Sequence, residues 1–299
     1  MPTPEAPTPR DVALSAADGH PLRAWLWPHP HPHAVMVVAH GFGEHGGRYG
    51  HLAEALGPAL GLEILAFDFR GHGRSPGRRG VVRRYTDLSA DLRAALSWTS
   101  RTRPGLPQFV LGHSNGGQVA LQMVLDGQAA MAGMIVSNPV LRLATRVPRH
   151  KLWIGSVLRR YAPGVTLKSE IDPQRLTSDP VMQAAFGLDV LRHDRISPPL
   201  FFGMVEGGAL ITARASEIQT PILMILGGAD PIVDPEESRA FFNRLGSLDK
   251  TLLLYPHMLH EPLNELRRAE VIADVAAWLA ARIGPSSPEE RSGDIVEWH

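Results

Sequence analysis

The sequence predicts an α/β protein, in which a mostly parallel sheet carries helices on both faces and a helical cap is inserted. Short unbroken apolar runs alternate with helix-length amphipathic segments along most of the chain. This rhythm stops between residues 138 and 218 and resumes at Pro221. Glycine-rich or polar segments follow several of the apolar runs, as expected where parallel strands end at one edge of a sheet. With 299 residues, 44% of them hydrophobic, the chain can form one sizeable core with an insertion.

Composition narrows the functional classes. The formal net charge is zero, so the charge of the whole chain does not indicate nucleic acid binding. There is no cysteine, which excludes disulfides, thiolate metal ligands and a cysteine nucleophile. The Pro-rich segment 1–10 is predicted to be disordered and has no apolar run typical of a signal peptide. The lack of cysteine makes a cytoplasmic protein the simpler expectation. No apolar stretch approaches the roughly 20 residues of a membrane span.

The core is predicted in two blocks, residues 11–137 and 219–283. The first block begins with a hairpin around a turn at 17–20. Its further strands and helices are predicted at 34–39, 52–60, 63–69, 85–98, 109–111, 114–125 and 134–137. In the second block they are predicted at 222–226, 235–245 and 251–255, followed by an apolar-striped helix that ends near residue 282.

The segment 138–218 is interpreted as a cap or lid over the strand ends. It contains scattered prolines and two or three apolar helical patches, such as 152–158 and 181–186. The polar tail 284–299 is expected to be loose.

A candidate nucleophile lies in Gly112-x-Ser114-x-Gly116, between a predicted strand and a predicted helix. This context is typical of a nucleophile elbow, a tight turn that presents a serine hydroxyl above the sheet. Glycines two residues before and after the serine let the backbone close in without a side-chain clash. The following helix start directs free N–H groups at the site, where negative charge would develop.

Three other segments carry possible functional residues. The glycine-rich loop 40–44 either directs a backbone N–H toward the nucleophile or is an ordinary strand–helix turn. The loop 70–77, followed by four arginines, could hold phosphate, but without a Gly-Lys-Ser/Thr motif it is more simply structural. The alternating prolines and histidines of 28–33 favour an extended connector over a metal site.

A serine hydroxyl needs a base, and the base needs an anion that orients it. Asp230 and His260 each follow a predicted strand, as Ser114 does, so the three should meet at one edge of the sheet. Their order along the chain, serine then acid then histidine, is the order of α/β-hydrolases. Asp234 and His257 are the local alternatives for the acid and the base.

Five motifs occur in the order found in one branch of the α/β-hydrolases, and residues 11–283 resemble the monoacylglycerol lipases and lysophospholipases. A shorter segment, 176–180, also resembles a motif of that family's cap. The five motifs are His40-Gly41-x-Gly43-Glu44-His45-x-x-Arg48-Tyr49, Asp68-x-Arg70-Gly71-His72-Gly73-x-Ser75-x-Gly77, Gly112-His113-Ser114-x-Gly116-Gly117, Gly228-Ala229-Asp230-x-Ile232-Val233-Asp234 and His260-Glu261-x-x-Asn264-Glu265.

The resemblance implies an α/β-hydrolase fold and a serine hydrolase of single-chain lipid esters. By this resemblance Ser114 is the nucleophile, His260 the base and Asp230 the acid, and the backbone N–H groups of Phe42 and Asn115 form the oxyanion hole. No cofactor and no metal are implied. Asn115 departs from the methionine usual in the family, which puts substrate preference in doubt.

Other functions use the same residues or the same fold. A short-chain esterase, thioesterase, acyltransferase or perhydrolase would employ the same triad. A peptidase rests on the fold alone. Dehalogenases and epoxide hydrolases of this fold use an aspartate nucleophile, which position 114 lacks. A non-catalytic binding protein is disfavoured because no triad member is missing.

The predicted cap is locally basic in a neutral chain. Between residues 140 and 170 it has seven basic residues and one acid, Glu170, interleaved with apolar residues at helical spacing. One interpretation is a helix that packs its apolar face on the core and solvates its arginines. The other is a surface for transient contact with a membrane or micelle, in which Arg159 and Arg160 contribute to binding. The seven basic residues are Arg142, Arg146, Arg149, Lys151, Arg159, Arg160 and Lys168.

Overall fold

The computed structural model describes residues 8–127, 131–169 and 171–283. Within these ranges ten strands are formed, eight of them in one sheet. The strands are β1 (Arg10–Ser15), β2 (Pro21–Trp27), β3 (Ala34–Ala39), β4 (Leu62–Asp68), β5 (Gln108–His113), β6 (Gly133–Ser137), β7 (Leu167–Lys168), β8 (Arg195–Ile196), β9 (Ile222–Gly227) and β10 (Lys250–Tyr255).

Eight α-helices connect or cover these strands in the described ranges, together with short 3₁₀ turns. The helices are α1 (Gly50–Leu60), α2 (Thr86–Thr102), α3 (Asn115–Leu125), α4 (Arg149–Tyr161), α5 (Pro180–Leu188), α6 (Pro198–Ala213), α7 (Pro235–Arg244) and α8 (Arg268–Ala280).

The large sheet has the order β1-β2-β4-β3-β5-β6-β9-β10. The β1–β2 and β2–β4 pairs are antiparallel, and every other pair in this sheet is parallel. All residues of β3 and β4 are buried, because helices cover both faces of the sheet. The predicted fold class is therefore confirmed as an α/β-hydrolase sheet.

Each face of the sheet packs on its own helices. Successive side chains of a strand point to opposite faces, so Met36 packs with α1 and α8, whereas Val37 packs with α2 and α3. Helices α6 and α7 extend the second layer over β6 and β9. This two-sided burial leaves the carboxyl ends of the parallel strands as the open edge where a site can form.

The chain termini differ from the prediction in one respect. β1 begins at Arg10, which pairs with Leu26 of β2, so the predicted disorder of segment 1–10 is wrong at its last residue. The antiparallel partner satisfies the backbone groups of Arg10, which a composition argument could not foresee. The rest of that prediction for residues 1–7, and the prediction for the tail 284–299, lie outside the described residues.

The segment 138–218 holds α4, α5, α6 and the small antiparallel pair of β7 with β8. Helix α6, which lies outside the two apolar patches named from the sequence, buries Leu200, Met204 and Ile211 against the core. Helix α4, in contrast, has no buried residue. The segment is thus anchored by α6, while α4 lies at the surface. No helix in the described part of the chain is long and apolar enough to cross a membrane.

Candidate active site

Ser114 occupies a sharp turn between β5 and α3. Its backbone has φ 51° and ψ −116°, a conformation that is strained for any residue with a side chain. A Cβ at Gly112 would lie 2.7 Å from the carbonyl oxygen of Gly116, and one at Gly116 would lie 2.0 Å from that of Ala39. Both positions therefore require glycine, which explains the spacing of the motif around Ser114.

Ser114, His260 and Asp230 form one hydrogen-bonded chain although they come from three separate loops. His260 Nε2 lies 2.9 Å from Ser114 Oγ, and His260 Nδ1 lies 2.7 Å from Asp230 Oδ2. All three side chains are buried. The other Asp230 oxygen accepts hydrogen bonds from the amides of Ile232 and Val233 at 2.7 and 3.1 Å, so the carboxylate is held in place.

The electrostatics of His260 suit a proton acceptor. Burial by itself lowers the pKa of His260, but the adjacent Asp230 carboxylate outweighs burial and raises that pKa above 6.5. Such a carboxylate would stabilise the imidazolium if His260 took a proton from a serine hydroxyl.

The structure separates the alternative acid and base from this chain of contacts. Asp234 caps α7, accepting from the amides of Glu236 and Glu237, and pairs with Arg142 at 2.8 Å. The side chain of His257 is exposed. Neither residue is bonded to Ser114 or to His260 within the described ranges. A helix cap and an exposed imidazole are ordinary structural roles.

Asn138 is a site residue that the sequence did not indicate. It has a positive φ of 40°, and its side chain donates to the carbonyl of His260 at 2.8 Å and to that of Leu259 at 3.2 Å. Its Oδ1 accepts from the amide of Gly227 at 3.0 Å. Asn138 therefore ties the end of β6 to the loops that carry Asp230 and His260. Its signal in the sequence was only a polar residue directly after a strand.

The amides of Phe42 and Asn115 are the expected oxyanion donors. Among the hydrogen bonds of the described residues, neither amide has a protein acceptor, and Asn115 is the first residue of α3. The Asn115 side chain accepts a hydrogen bond from Tyr85 Oη at 2.7 Å and is not among the described groups that line the cavity. Its departure from methionine therefore does not place a polar group beside the substrate.

A cavity of about 650 Å³ opens above Ser114 and His260 and extends along segment 138–218. This segment contributes most of the cavity wall, and apolar side chains predominate. The apolar lining comprises Phe42, Val140, Leu143, Val147, Ile154, Leu167, Ile171, Leu176, Phe186, Ile196, Phe201, Phe202, Met204, Val205 and Ile232. This lining, around a serine and histidine, is typical of a site for a long apolar group.

A buried ion network borders the catalytic end of this cavity. Arg48 pairs with Glu44 and, at 2.8 Å, with Glu261, while Tyr49 donates to Glu44 at 2.9 Å. Burial alone would raise the pKa of Glu261, but Arg48 lowers it to about 2. Both carboxylates are thus already paired with Arg48. The sequence showed these residues only as motif members.

Two further segments were considered from the sequence, the loop 70–77 as a phosphate site and the segment 28–33 as a metal site. Arg70 contacts the carboxylates of Asp18, Asp87 and Asp91, so its guanidinium ties the loop 70–77 to α2 and the first hairpin. In the described part of the chain, no group of three or more His, Cys, Asp or Glu side chains is arranged to hold a metal ion.

Comparison with known proteins places this geometry in context. The model of one protein family, described as serine aminopeptidase, S33, matches residues 30–267. A monoacylglycerol lipase of Mycolicibacterium smegmatis is 31% identical over 257 residues, which cover 86% of this chain and 91% of that protein. Human monoglyceride lipase is 31% identical, over 91% of this chain and 92% of its own length.

Solved structures of the same kind of lipase are also similar to this chain. A monoacylglycerol lipase of Paleococcus ferrophilus, 30% identical, superimposes with a TM-score of 0.78 over 87% of this chain and 99% of its own. A soluble variant of Saccharomyces cerevisiae monoglyceride lipase, solved with a substrate analog, is 26% identical. It superimposes with a TM-score of 0.81 over 94% of this chain and 99% of its own.

Proposed function

This chain belongs to the serine aminopeptidase S33 family, within its monoacylglycerol lipase branch, and we propose that it hydrolyses the carboxylic ester of single-chain lipids such as monoacylglycerols. The observation that supports this most directly is the hydrogen-bonded chain of Ser114, His260 and Asp230 at the end of a large apolar cavity. A carboxylic ester hydrolase needs both parts, a nucleophile and a place for the acyl chain.

The first chemical step is acylation of Ser114. As Ser114 Oγ attacks the ester carbonyl carbon, its proton passes to His260 Nε2, and the carbonyl oxygen becomes an oxyanion. The amides of Phe42 and Asn115 would donate to that oxyanion. When the tetrahedral intermediate collapses, the bond to the leaving oxygen breaks, and His260 returns its proton to this oxygen. Glycerol leaves and the acyl chain stays on Ser114.

The second step releases the fatty acid. A water molecule attacks the acyl-serine carbonyl while His260 takes its proton, and the oxyanion forms again in the same place. Collapse of this intermediate breaks the bond to Ser114 Oγ, which recovers the proton from His260. Asp230 keeps the imidazole oriented through both steps and stabilises its charged form. No step requires a metal or a cofactor.

The cavity favours a lipid ester over a peptide. An aminopeptidase must receive a free ammonium group, for which a carboxylate is the natural partner. Both carboxylates at the catalytic end, Glu44 and Glu261, are paired with Arg48. The apolar lining also suits an acyl chain better than a peptide backbone, whose polar groups would be left unpaired there.

The proposed function is tested by substrates that share a glycerol head and differ in acyl length. We expect the purified protein to release fatty acid from monoacylglycerols and to prefer medium or long chains over acetyl esters, because each buried methylene contributes about 0.8 kcal/mol. A matching peptide amide, such as an amino-acyl p-nitroanilide, is the comparison substrate. Faster cleavage of the anilide, or equal rates on acetyl and long-chain esters, would contradict the proposal.

We further propose that α4 contacts lipid aggregates transiently. Trp153 and Tyr161 on this helix expose 69% and 76% of their surface, which is unusual for large apolar side chains. Two of the seven basic residues of this region are paired with acids, Arg142 with Asp234 and Arg159 with Glu206. The other five make no ion pair among the described residues. An exposed apolar face with unpaired cations is typical of a helix that binds at an anionic interface.

Co-sedimentation with vesicles tests this contact. The wild-type protein should bind vesicles that contain anionic lipid, and binding should weaken as salt rises, since the Debye length is about 10 Å at 0.1 M. Charge reversal at the unpaired positions, Arg149→Glu with Arg160→Glu, should weaken binding by about 30-fold or more, because two lost cations at about 1 kcal/mol each amount to about 2 kcal/mol. The matched control reverses two exposed arginines outside the cap, Arg10→Glu with Arg101→Glu. If both double variants lose the same vesicle binding, or if binding does not change with salt, α4 does not contact the lipid surface and is only part of a lid.

A further inference from the structure

The residue after the nucleophile, whose backbone amide is a proposed oxyanion donor, is an asparagine. Asn115 is 1% exposed and is the first residue of α3, so its side chain lies beside the free N–H groups of a helix start. Its side-chain oxygen accepts a hydrogen bond from Tyr85 Oη at 2.7 Å, and within the described ranges no other donor reaches this oxygen. The hydroxyl of Tyr85 therefore satisfies a buried acceptor next to Ser114.

An asparagine at a helix start is a hazard for an oxyanion hole. The short polar side chains of Asn, Asp, Ser and Thr accept hydrogen bonds from backbone N–H groups of their own or neighbouring residues, which is why they cap helices. If the Asn115 oxygen turned back to the start of α3, it would compete for the amides that have to bind the oxyanion. The methionine usual in the family carries only a weakly accepting sulfur at this place.

The ring of Tyr85 is held in position by α6. A Cβ on Gly203 would lie 2.4 Å from Tyr85 Cγ, so this helix packs directly on the phenol ring. Gln118, three residues after Asn115, donates to the carbonyl of Met204 at 2.8 Å and holds the same stretch of α6 against α3. Because the ring has little room to move, its hydroxyl stays directed at Asn115. Burial raises the pKa of Tyr85, so the hydroxyl keeps its proton and can donate it to the hydrogen bond.

We infer that Tyr85 is a positioning residue of the oxyanion hole, which it keeps open by holding the side-chain oxygen of Asn115 away from the backbone amides. The inference rests on the proposed ester hydrolysis and adds a residue to that reaction. Tyr85 acts through Asn115, since it is not among the described groups that line the cavity. A methionine at position 115 would not need the hydroxyl, so loss of the hydroxyl should matter only while Asn115 is present.

The test is a double-substitution cycle at positions 85 and 115, measured on p-nitrophenyl butyrate and on a monoacylglycerol. Tyr85→Phe keeps the ring against Gly203 and removes only the hydroxyl. We expect this change to lower kcat about tenfold or more and to alter KM by less than about threefold, because the oxyanion hole acts in the transition state. In the Asn115→Met background the same change should alter kcat by less than about twofold. Asn115→Leu is the second background without a side-chain oxygen, and far-UV circular dichroism checks the folding of each variant.

An alkyl trifluoromethyl ketone gives a readout that does not depend on turnover. As Ser114 Oγ adds to the ketone carbon, its proton passes to His260 and the carbonyl oxygen becomes an oxyanion, as in the proposed reaction. Tyr85→Phe should weaken inhibition by this ketone about tenfold and leave inhibition by the matching fatty alcohol unchanged. Tyr255→Phe is the matched control, since it removes a tyrosine hydroxyl that bonds Asp274 at 2.6 Å outside the site. This control should change neither inhibition nor turnover.

The outcomes separate this inference from the proposed function. An unchanged kcat in Tyr85→Phe, equal losses of kcat in the asparagine and methionine backgrounds, or a loss confined to KM would each overturn the inference. Turnover of p-nitrophenyl butyrate without cleavage of the monoacylglycerol would overturn the proposed lipid hydrolysis, while the cycle on the soluble ester still decides the role of Tyr85. A protein that neither cleaves an ester nor binds the ketone would overturn both.

Discussion

Ser114→Ala is expected to reduce ester hydrolysis on the order of 10⁴-fold or more, while the protein stays folded. The Ser114 hydroxyl is the atom that would bond to the acyl carbon, and within the described residues its only side-chain hydrogen bond is to His260. Without this hydroxyl, the remaining groups can assist only a direct attack of water on the ester, which is much slower. The measurement is kcat/KM on a monoacylglycerol, with far-UV circular dichroism as the check on folding.

Covalent labelling gives an independent readout of the same residue. A fluorophosphonate should modify wild type at Ser114 and leave Ser114→Ala unlabelled. Ser169→Ala is the matched control, since Ser169 lines the same cavity but has no contact with the triad among the described residues. This control should keep labelling and turnover. Near-normal hydrolysis by a folded Ser114→Ala protein would remove Ser114 from the mechanism.

Asp230→Asn should lower kcat by about 10⁴-fold, because an amide at this position no longer sets the tautomer of His260 or stabilises its charged form. The two residues are joined at 2.7 Å. Asp234→Asn is the matched control. Asparagine is also a good helix cap, so this change should cost α7 little and leave turnover near that of wild type. Equal losses, or a larger loss in Asp234→Asn, would transfer the role of the acid to position 234.

The pH dependence of kcat/KM tests the contact between His260 and Asp230 in a second way. His260 must be neutral to accept a proton, and Asp230 raises the pKa of His260 above 6.5. Wild-type kcat/KM should therefore rise with pH through a pKa above 6.5 and be lost as pH falls below it. In the residual activity of Asp230→Asn this acid limb should move to lower pH, because burial still lowers the pKa of His260 while the raising charge is gone. If the acid side of the profile has the same midpoint in Asp230→Asn as in wild type, a group other than His260 controls it.

The local sequence carried enough information to predict the architecture of the core and the triad candidates. The strand β3 coincides with the predicted segment 34–39, because a short unbroken apolar run is typical of a strand that is buried between two helical layers. The glycines around Ser114 were readable because a tight turn excludes a Cβ at specific spacings. Such properties depend on neighbours in the chain, so they leave a signature in the sequence.

Contacts between distant segments were decided only by the tertiary structure. The sequence left Asp234 and His257 open as alternatives, and only the packing of the loops after β9 and β10 brings Asp230 and His260 together with Ser114. It also could not tell that Asn115 would turn its side chain to Tyr85. The physical reason is that a side chain's partner depends on which surfaces meet after folding, which no local pattern encodes.

Arg192 is the clearest instance of this division. In the sequence it is one arginine among many, with acids at positions 189 and 194 that could have paired with it. In the fold, Asp189 bonds to His45, and Asp194 contacts Arg195 at the surface. Arg192 is left stacked on Phe186 inside the cavity, without an acidic partner among the described residues. Composition determined that the segment 140–170 is basic, but only the path of the chain decided which cations line the cavity, because burial and pairing are properties of the packed molecule.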